Sequence, residues 1–170
     1  MDDAEGFRLT TPRLVLRRWT QADREPFASM NADPEVMRHF PSVLDRAASD
    51  ALADYADSRF DEFPYGLAAV ERRSDGEFLG FTGLHRMRWY PDDVEIGWRL
   101  ARHAWGHGFA TEAARAWVEH ARDVLGLSRL ISIVAPDNAA SLAVCRKLGM
   151  SQGWTGVREE RPHVVMTLAL

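Results

Sequence analysis

Cysteine is all but missing from the chain. Cys145 stands alone, which excludes an internal disulfide and a multi-cysteine zinc site and suits a reducing compartment. A cationic excess is missing too. The formal net charge of −4 argues against a general nucleic-acid binder, which carries a basic patch or stripe. No apolar run approaches the roughly 20 residues of a transmembrane helix. The opening "MDDAEGF" is acidic where a signal peptide is basic. No repeat, low-complexity tract or Pro/Gly/Ser linker divides the chain. What remains is one domain over residues 1–170, expected in the cytoplasm with neither membrane nor nucleic acid as a partner. With 46% hydrophobic and 27% charged residues, the balance is that of an ordinary globular protein.

The apolar spacing changes period along the chain. "RLVLRRW" (13–19) alternates and reads as a first strand, and Thr20 with Asp23 caps a helix that turns Phe27 and Met30 inward. Asp33-Pro34 predicts a further short helix, because proline suits a first helical turn. Ala48, Leu52, Tyr55, Ala56 and Phe63 then recur at helical spacing. Three strand-like runs follow, at 65–72, 77–89 and 93–102. Ser74-Asp75-Gly76 and Tyr90-Pro91-Asp92 are the expected turns of an antiparallel meander. Gly80 and Gly83 inside the middle run predict a bulge or a close backbone approach. Ala114, Trp117, Val118, Ala121 and Leu125 share one face of a helix over 110–125, ended by Gly126. A buried strand over 129–134, a helix from Asn138 to Leu148 and a strand over 163–170 complete the series, with one more strand near Trp154. The sum is an α/β domain built on a mixed sheet.

Between the third meander strand and its helix stands "WGHGFATEAA" (105–114). A helix N-terminus presents unpaired N–H groups and partial positive charge, and glycines let such groups converge on an anion. Gly106 and Gly108 supply that freedom, and the small Ala110 and Thr111 allow a phosphate to come close. A tight strand-to-helix turn explains the same glycines without a ligand. Two named phosphate motifs fail: no lysine follows as a P-loop requires, and Thr111 stands where a dinucleotide fingerprint needs glycine.

Three segments in order, "VEIGWRL" with "WGHGFATEA", then "APDNAASLAVCRKLGM", resemble the acetyl-CoA-binding core of the GNAT superfamily of N-acetyltransferases. The opening "LTTPRLVLRRWTQAD" is similar to the ribosomal-protein (Rim-type) branch. The likeness covers nearly the whole chain. It implies the GNAT acyl-CoA N-acyltransferase fold, a mixed, mostly antiparallel sheet flanked by helices, with acetyl-CoA as co-substrate, no metal, and an amine as acceptor. A homodimer is compatible with it. In the family the loop N–H groups hold the CoA pyrophosphate, which carries over to Gly106, His107, Gly108, Phe109, Ala110 and Thr111. Trp105 stands where Gln or Arg is usual, so the backbone cradle remains without that polar side chain. The strand before the loop pairs its main chain with the pantetheine arm, which places Trp98 and Leu100 beside the cofactor. Asn138 and Ser141 match the family's second cofactor segment. Read alone, they cap their helix.

Acetyl transfer needs a neutral amine, a stabilised oxyanion and a proton for the thiolate. Many family members carry a tyrosine seven residues after the asparagine as that donor; here it is Cys145, and Ser141 is the nearest hydroxyl by family position. Cys145 reads as a small buried helix residue rather than an acyl carrier. Glu95 leads as general base by its family position, against a plain reading as a solvent-facing strand residue. His85 on the neighbouring strand is second, since an imidazole titrates near 6.5. An α-amine of pKa about 8 is roughly a fifth neutral at pH 7.4, while a lysine is only about a thousandth neutral. Modest acid–base machinery therefore favours α-amines or similarly weak bases; the expected acceptor is a protein N-terminus, as in the Rim-type branch, or a small amine such as an amino acid, polyamine or aminoglycoside. The absent tyrosine keeps a non-catalytic acyl-CoA sensor as a rival. His103 and His107 flank the glycine loop and share no helical face, which argues against a metal. Trp117 is expected in the core, Trp19, Trp89 and Trp105 along the acceptor cleft, and Arg146 and Lys147 near the CoA 3′-phosphate.

Overall fold

A computed structural model describes residues 6–170. Its strands are β1 (Arg8–Thr10), β2 (Leu14–Arg17), β3 (Leu67–Arg72), β4 (Phe78–Met87), β5 (Tyr90–Leu100), β6 (Arg129–Val134), β7 (Ser151–Arg158) and β8 (Arg161–Ala169). The helices are α1 (Arg24–Ala32), α2 (Arg46–Glu62), α3 (Phe109–Asp123) and α4 (Ala139–Lys147). One sheet runs β1-β2-β3-β4-β5-β6-β8-β7, antiparallel throughout except for the parallel pair β5 and β6. This is the expected α/β architecture of a mixed, mostly antiparallel sheet flanked by helices. Among the described residues, no helix is long and apolar enough to cross a membrane.

Strand alternation splits the core in two. Ala68 and Val70 of β3 face Ala113, Ala114, Trp117 and Ala121 of α3, with Cys145 of α4 in the same cluster. Leu67 and Ala69 face the other way, onto Phe27 and Met30 of α1 and Ala53 and Ala56 of α2. The sheet is thus covered on both faces. Trp117 is fully buried and its indole N–H donates to the Thr82 carbonyl at 3.1 Å, tying α3 to the middle of β4.

Most element expectations hold, the strand through Trp154 included, and three need correction. Residues 8–10 pair with β2 as a further strand. After Asp33-Pro34 no helix forms. The Asp33 carboxylate accepts from the Glu35 N–H and pairs with Arg102, one turn closes from the Met37 N–H onto the Asp33 carbonyl, and Val36 and Met37 are both buried. The second hairpin turns at Arg88 and Trp89, so Tyr90, Pro91 and Asp92 belong to β5. Tertiary contact overrides turn propensity there, because the Tyr90 hydroxyl bonds His163 at 2.7 Å and its ring packs on Trp154.

The β4 glycines do what the sequence predicts. Gly80 adopts φ 141° where the β3 register slips, which leaves Leu79 extra in β4. A Cβ on Gly83 would lie 1.9 Å from the Gly66 carbonyl oxygen, so β3 and β4 approach where only hydrogen fits. Opposite it, a Cβ on Gly97 would meet only His85 Nε2, at 3.8 Å. Gly83→Ala is therefore expected to lower the unfolding free energy by about 1–3 kcal/mol or more, while Gly97→Ala folds normally; urea denaturation of both compares them.

Candidate active site

The parallel ladder between β5 and β6 consists of one residue pair, Glu95 with Ile131. No further pair joins the two strands toward their C-terminal ends. The backbone of Gly97–Arg99 and that of Ser132–Val134 instead border a cleft of about 790 Å³. A strand edge left unpaired inside a sheet is unfavourable unless something with amide groups fills it. Because the strands are parallel, the helices that follow them, α3 and α4, both start at this end, a recurrent arrangement for ligand crevices in α/β sheets.

The first of those helices opens on a bare cradle. Gly106 and Gly108 take φ 77° and 79° in the left-handed region, with Gly108 as the N-cap of α3. Among the described residues, none of the backbone N–H groups of Gly106, His107, Gly108, Phe109, Ala110 and Thr111 donates to a protein acceptor. Six consecutive donors at the positive end of a 15-residue helix fit a diphosphate and need no lysine.

A clamp that the sequence pattern did not disclose braces the cradle. Arg13 donates through Nη1 to the His107 carbonyl at 2.9 Å and through Nε to Glu112 at 2.6 Å, while its guanidinium covers the Phe109 ring. The Thr11 hydroxyl and the Arg13 N–H both donate to the other Glu112 oxygen. A second cavity beside the clamp is lined by Gly108, Thr111, Arg115 and Lys147. Phe109 itself is buried, and His107 is exposed.

Within the cleft, His85 and Glu95 are cross-strand partners, and His85 Nε2 lies 3.0 Å from Glu95 Oε2. Glu95 Oε1 accepts from the Ile133 N–H at 3.1 Å, so the carboxylate bridges the gap where the ladder stops. Glu95 is 7% exposed, far from a solvent-facing strand residue. Each of its oxygens keeps a lone pair for a further donor. Trp98, Asn138 and Ser141 line the same cleft. The Asn138 side-chain Oδ1 accepts from the Ser141 N–H at 3.1 Å and so caps α4; the Ser141 hydroxyl has no partner among the described residues.

Other residues fall elsewhere. Leu100 points its side chain into the core, and its carbonyl accepts from the Trp105 indole at 2.9 Å. Trp19 donates to the Leu67 carbonyl inside the α1–α2 cluster, and Trp89 stacks between Arg88 and Arg158 at the hairpin tip. None of Trp19, Trp89 and Trp105 lines the cleft, which corrects that expectation. His103 pairs with Glu77. Burial pushes the Cys145 thiol up to about 11, so it is no nucleophile at neutral pH. Sequence reasoning missed His163, whose imidazole burial and then Arg158 hold below its ordinary range, and its partner Tyr90. Gly156 was the available signal, since a Cβ there would strike the His163 ring at 2.7 Å.

Burial pushes the Glu112 carboxyl up, and the Thr11 and Arg13 hydrogen bonds outweigh it, so it titrates below the usual glutamate value. Its contribution is complete above the unfolded value near 4.5 and is lost as pH falls through the lower folded value. Between pH 5 and pH 3, roughly the span of these titrations, Glu112→Gln is expected to lose less stability than the parent in parallel denaturant melts.

Known proteins carry the same sequence pattern and frame. The model of the acetyltransferase (GNAT) domain family matches residues 13–151. The uncharacterized N-acetyltransferase YoaA of Bacillus subtilis is 30% identical over 152 residues, covering 85% of this chain and 82% of its own. An acetyltransferase structure from Agrobacterium tumefaciens superposes with a TM-score of 0.86 at 26% identity, covering 96% and 95% of the two chains. RimL, a ribosomal alpha-N-protein acetyltransferase solved in complex with coenzyme A, shares the fold with a TM-score of 0.80 at 14% identity, covering 96% and 98%. With six free N–H groups for a diphosphate and two open strand edges for an amide-bearing arm, the chain belongs to the GNAT family of acetyl-CoA-dependent acetyltransferases.

Proposed function

We propose that the protein moves acetyl from acetyl-CoA to a primary amine by direct attack in a ternary complex, with a protein N-terminal α-amine as the acceptor class. The observation that carries this reading is the His85–Glu95 pair, buried at the point where β5 and β6 part. The pyrophosphate lies on the N–H groups of 106–111, and the pantetheine arm lies along the free edge at Trp98. Asn138 and Ser141 border the arm from α4. The thioester then faces the bare floor at Gly97, next to Glu95.

The amine must lose a proton before or as it attacks. Glu95 takes that proton through its free lone pairs, directly or across one water, while the Ile133 N–H and His85 hold the carboxylate in place. The amine nitrogen bonds to the acetyl carbon, the C–S bond breaks, and the thiolate takes a proton from the Ser141 hydroxyl or from water. Cys145 takes no part as an acyl carrier, because its thiol is buried and protonated. With one carboxylate, already engaged by two donors, as its base, the site favours an amine that is already partly neutral, such as an α-amine.

Thiol release from acetyl-CoA with N-terminal peptides and small amines tests the reaction. Tight acetyl-CoA binding without turnover on any amine would favour the sensor. Glu95→Gln is expected to lower kcat by about 10²- to 10⁴-fold with the acetyl-CoA Kd near normal; an unchanged rate removes Glu95 as the base. Gly108→Ala, which places a Cβ on a left-handed residue, is expected to weaken acetyl-CoA about 5- to 30-fold by titration calorimetry.

A further inference from the structure

The Arg99 guanidinium in the cleft has no counter-charge. Arg99 lies on β5 on the same side as Gly97 and Glu95, paired across the ladder with Phe81. It is half-buried and lines the cleft. Of its five donors, Nη1 reaches Asn31 Oδ1 at 2.8 Å, and Nε is sealed from solvent with no partner. The guanidinium lies 4.0 Å from the Phe40 ring centroid and 5.2 Å from that of Phe81. Burial draws its pKa down to about 10, so it remains a cation at neutral pH.

Other arginines at the edges of this domain are treated differently. Arg17 pairs with Asp23 and Glu71, and Arg18 with Asp57 and Asp61. Three of the cleft's four carboxylates are engaged elsewhere, Glu95 with His85 and the Ile133 N–H, Asp137 with His39, and Glu159 with Arg88, and the fourth, Glu160, is exposed at the β7–β8 turn. Among the described residues no carboxylate forms an ion pair with Arg99. A cation withdrawn from water without a counter-charge destabilises the fold, and stacking on two aromatic rings offsets only part of that. The planar fork matches one class of missing partner, a carboxylate accepting two parallel hydrogen bonds.

We propose that Arg99 binds a carboxylate of the acceptor, so that the enzyme selects amines that carry a carboxylate a short distance away. This rests on the N-acetyltransfer reading above, with the amine at Gly97 beside Glu95. Arg99 is two residues further along the same strand face, about 7 Å away. That spacing suits a carboxylate several bonds from the amine. A free amino acid of that length and a peptide N-terminus with an early acidic side chain present the same pair.

Matched acceptors separate these cases on the acetyl-CoA-saturated enzyme. 5-Aminopentanoate is compared with 5-aminopentanamide, and a peptide with glutamate at its second position with the same peptide carrying glutamine. The carboxylate member of a pair is expected to lead by about 10- to 100-fold in kcat/KM, the effect falling mainly on KM. The pair that shows the preference identifies the source as free amino acid or peptide. The ratio should fall toward one in Arg99→Met and Arg99→Gln, and Arg99→Lys, which keeps the charge without the fork, should retain part of it. Turnover of both members at equal kcat/KM, or a preference that survives all three substitutions, overturns the proposal while leaving N-acetyltransfer standing. If no amine turns over, calorimetric binding of 5-aminopentanoate against its amide to the CoA-bound protein decides it: a preference lost in Arg99→Met and Arg99→Gln supports the carboxylate site, and equal binding refutes it.

Discussion

Strands β5 and β6 run side by side and share a single residue pair, Glu95 with Ile131, before they part. The site depends on that one incomplete ladder. Strands in a sheet normally satisfy their backbone groups on both sides, and here the facing edges beyond the pair border a cleft. Glu95 makes the split tolerable at its apex, since its carboxylate accepts from the Ile133 N–H where a strand carbonyl would otherwise do so. One side chain therefore closes the ladder and occupies the position from which a proton can be taken. A change at Glu95 touches the shape of the gap as well as its chemistry.

Because the parting strands are parallel, their following helices begin on the same side of the cleft, and the positive ends of both dipoles meet there. The two ends are used differently. At α4 the N-terminus is closed by Asn138 capping Ser141, which positions a hydroxyl rather than leaving amides free. At α3 no side chain caps the helix, and six N–H groups stay open. An uncapped, glycine-rich helix start frays readily, and Arg13, reaching across from the first hairpin to His107 and Glu112, restrains it from outside. The Trp105 indole, standing where a polar side chain is usual, turns back to the Leu100 carbonyl and closes the loop without reaching over the cradle.

Much of this frame was legible in the residues, for reasons that are local. The α3 stripe, the glycines before it, the close approach at Gly83 and the alternation of β4 and β5 each follow from spacing or from the absence of a side chain. What escaped was set by contacts between distant segments. Pro91 and Asp92 look like a turn, and Tyr90 is held in β5 by His163 and Trp154, residues more than sixty positions away. Asp33-Pro34 looks like a helix start, and its carboxylate is drawn to Arg102 instead. The Arg13–Glu112 clamp joins residues 99 apart. The tryptophans misled in the same way: Trp19 and Trp105 spend their indole N–H on carbonyls at strand ends, so an aromatic residue near the cleft in sequence is a strut beside it in space.

The same contrast shows what kind of enzyme the cleft can be. Cys145 stands where many relatives carry a tyrosine and is buried with its thiol firmly protonated, so in the proposed reaction proton supply to the leaving thiolate would be weak. A thioester tolerates that, because a thiolate leaves without strong help. In the proposed reaction the amine would lose its proton to one carboxylate already engaged by two donors, and this too is modest. Rate must then come largely from holding the right amine in its neutral form at the right distance, which is a matter of position more than of acid–base strength. In the proposed reaction, an open floor at Gly97, a base on one side and an unpaired guanidinium on the other would form a ruler for the acceptor, acting on its two ends rather than on its reactivity.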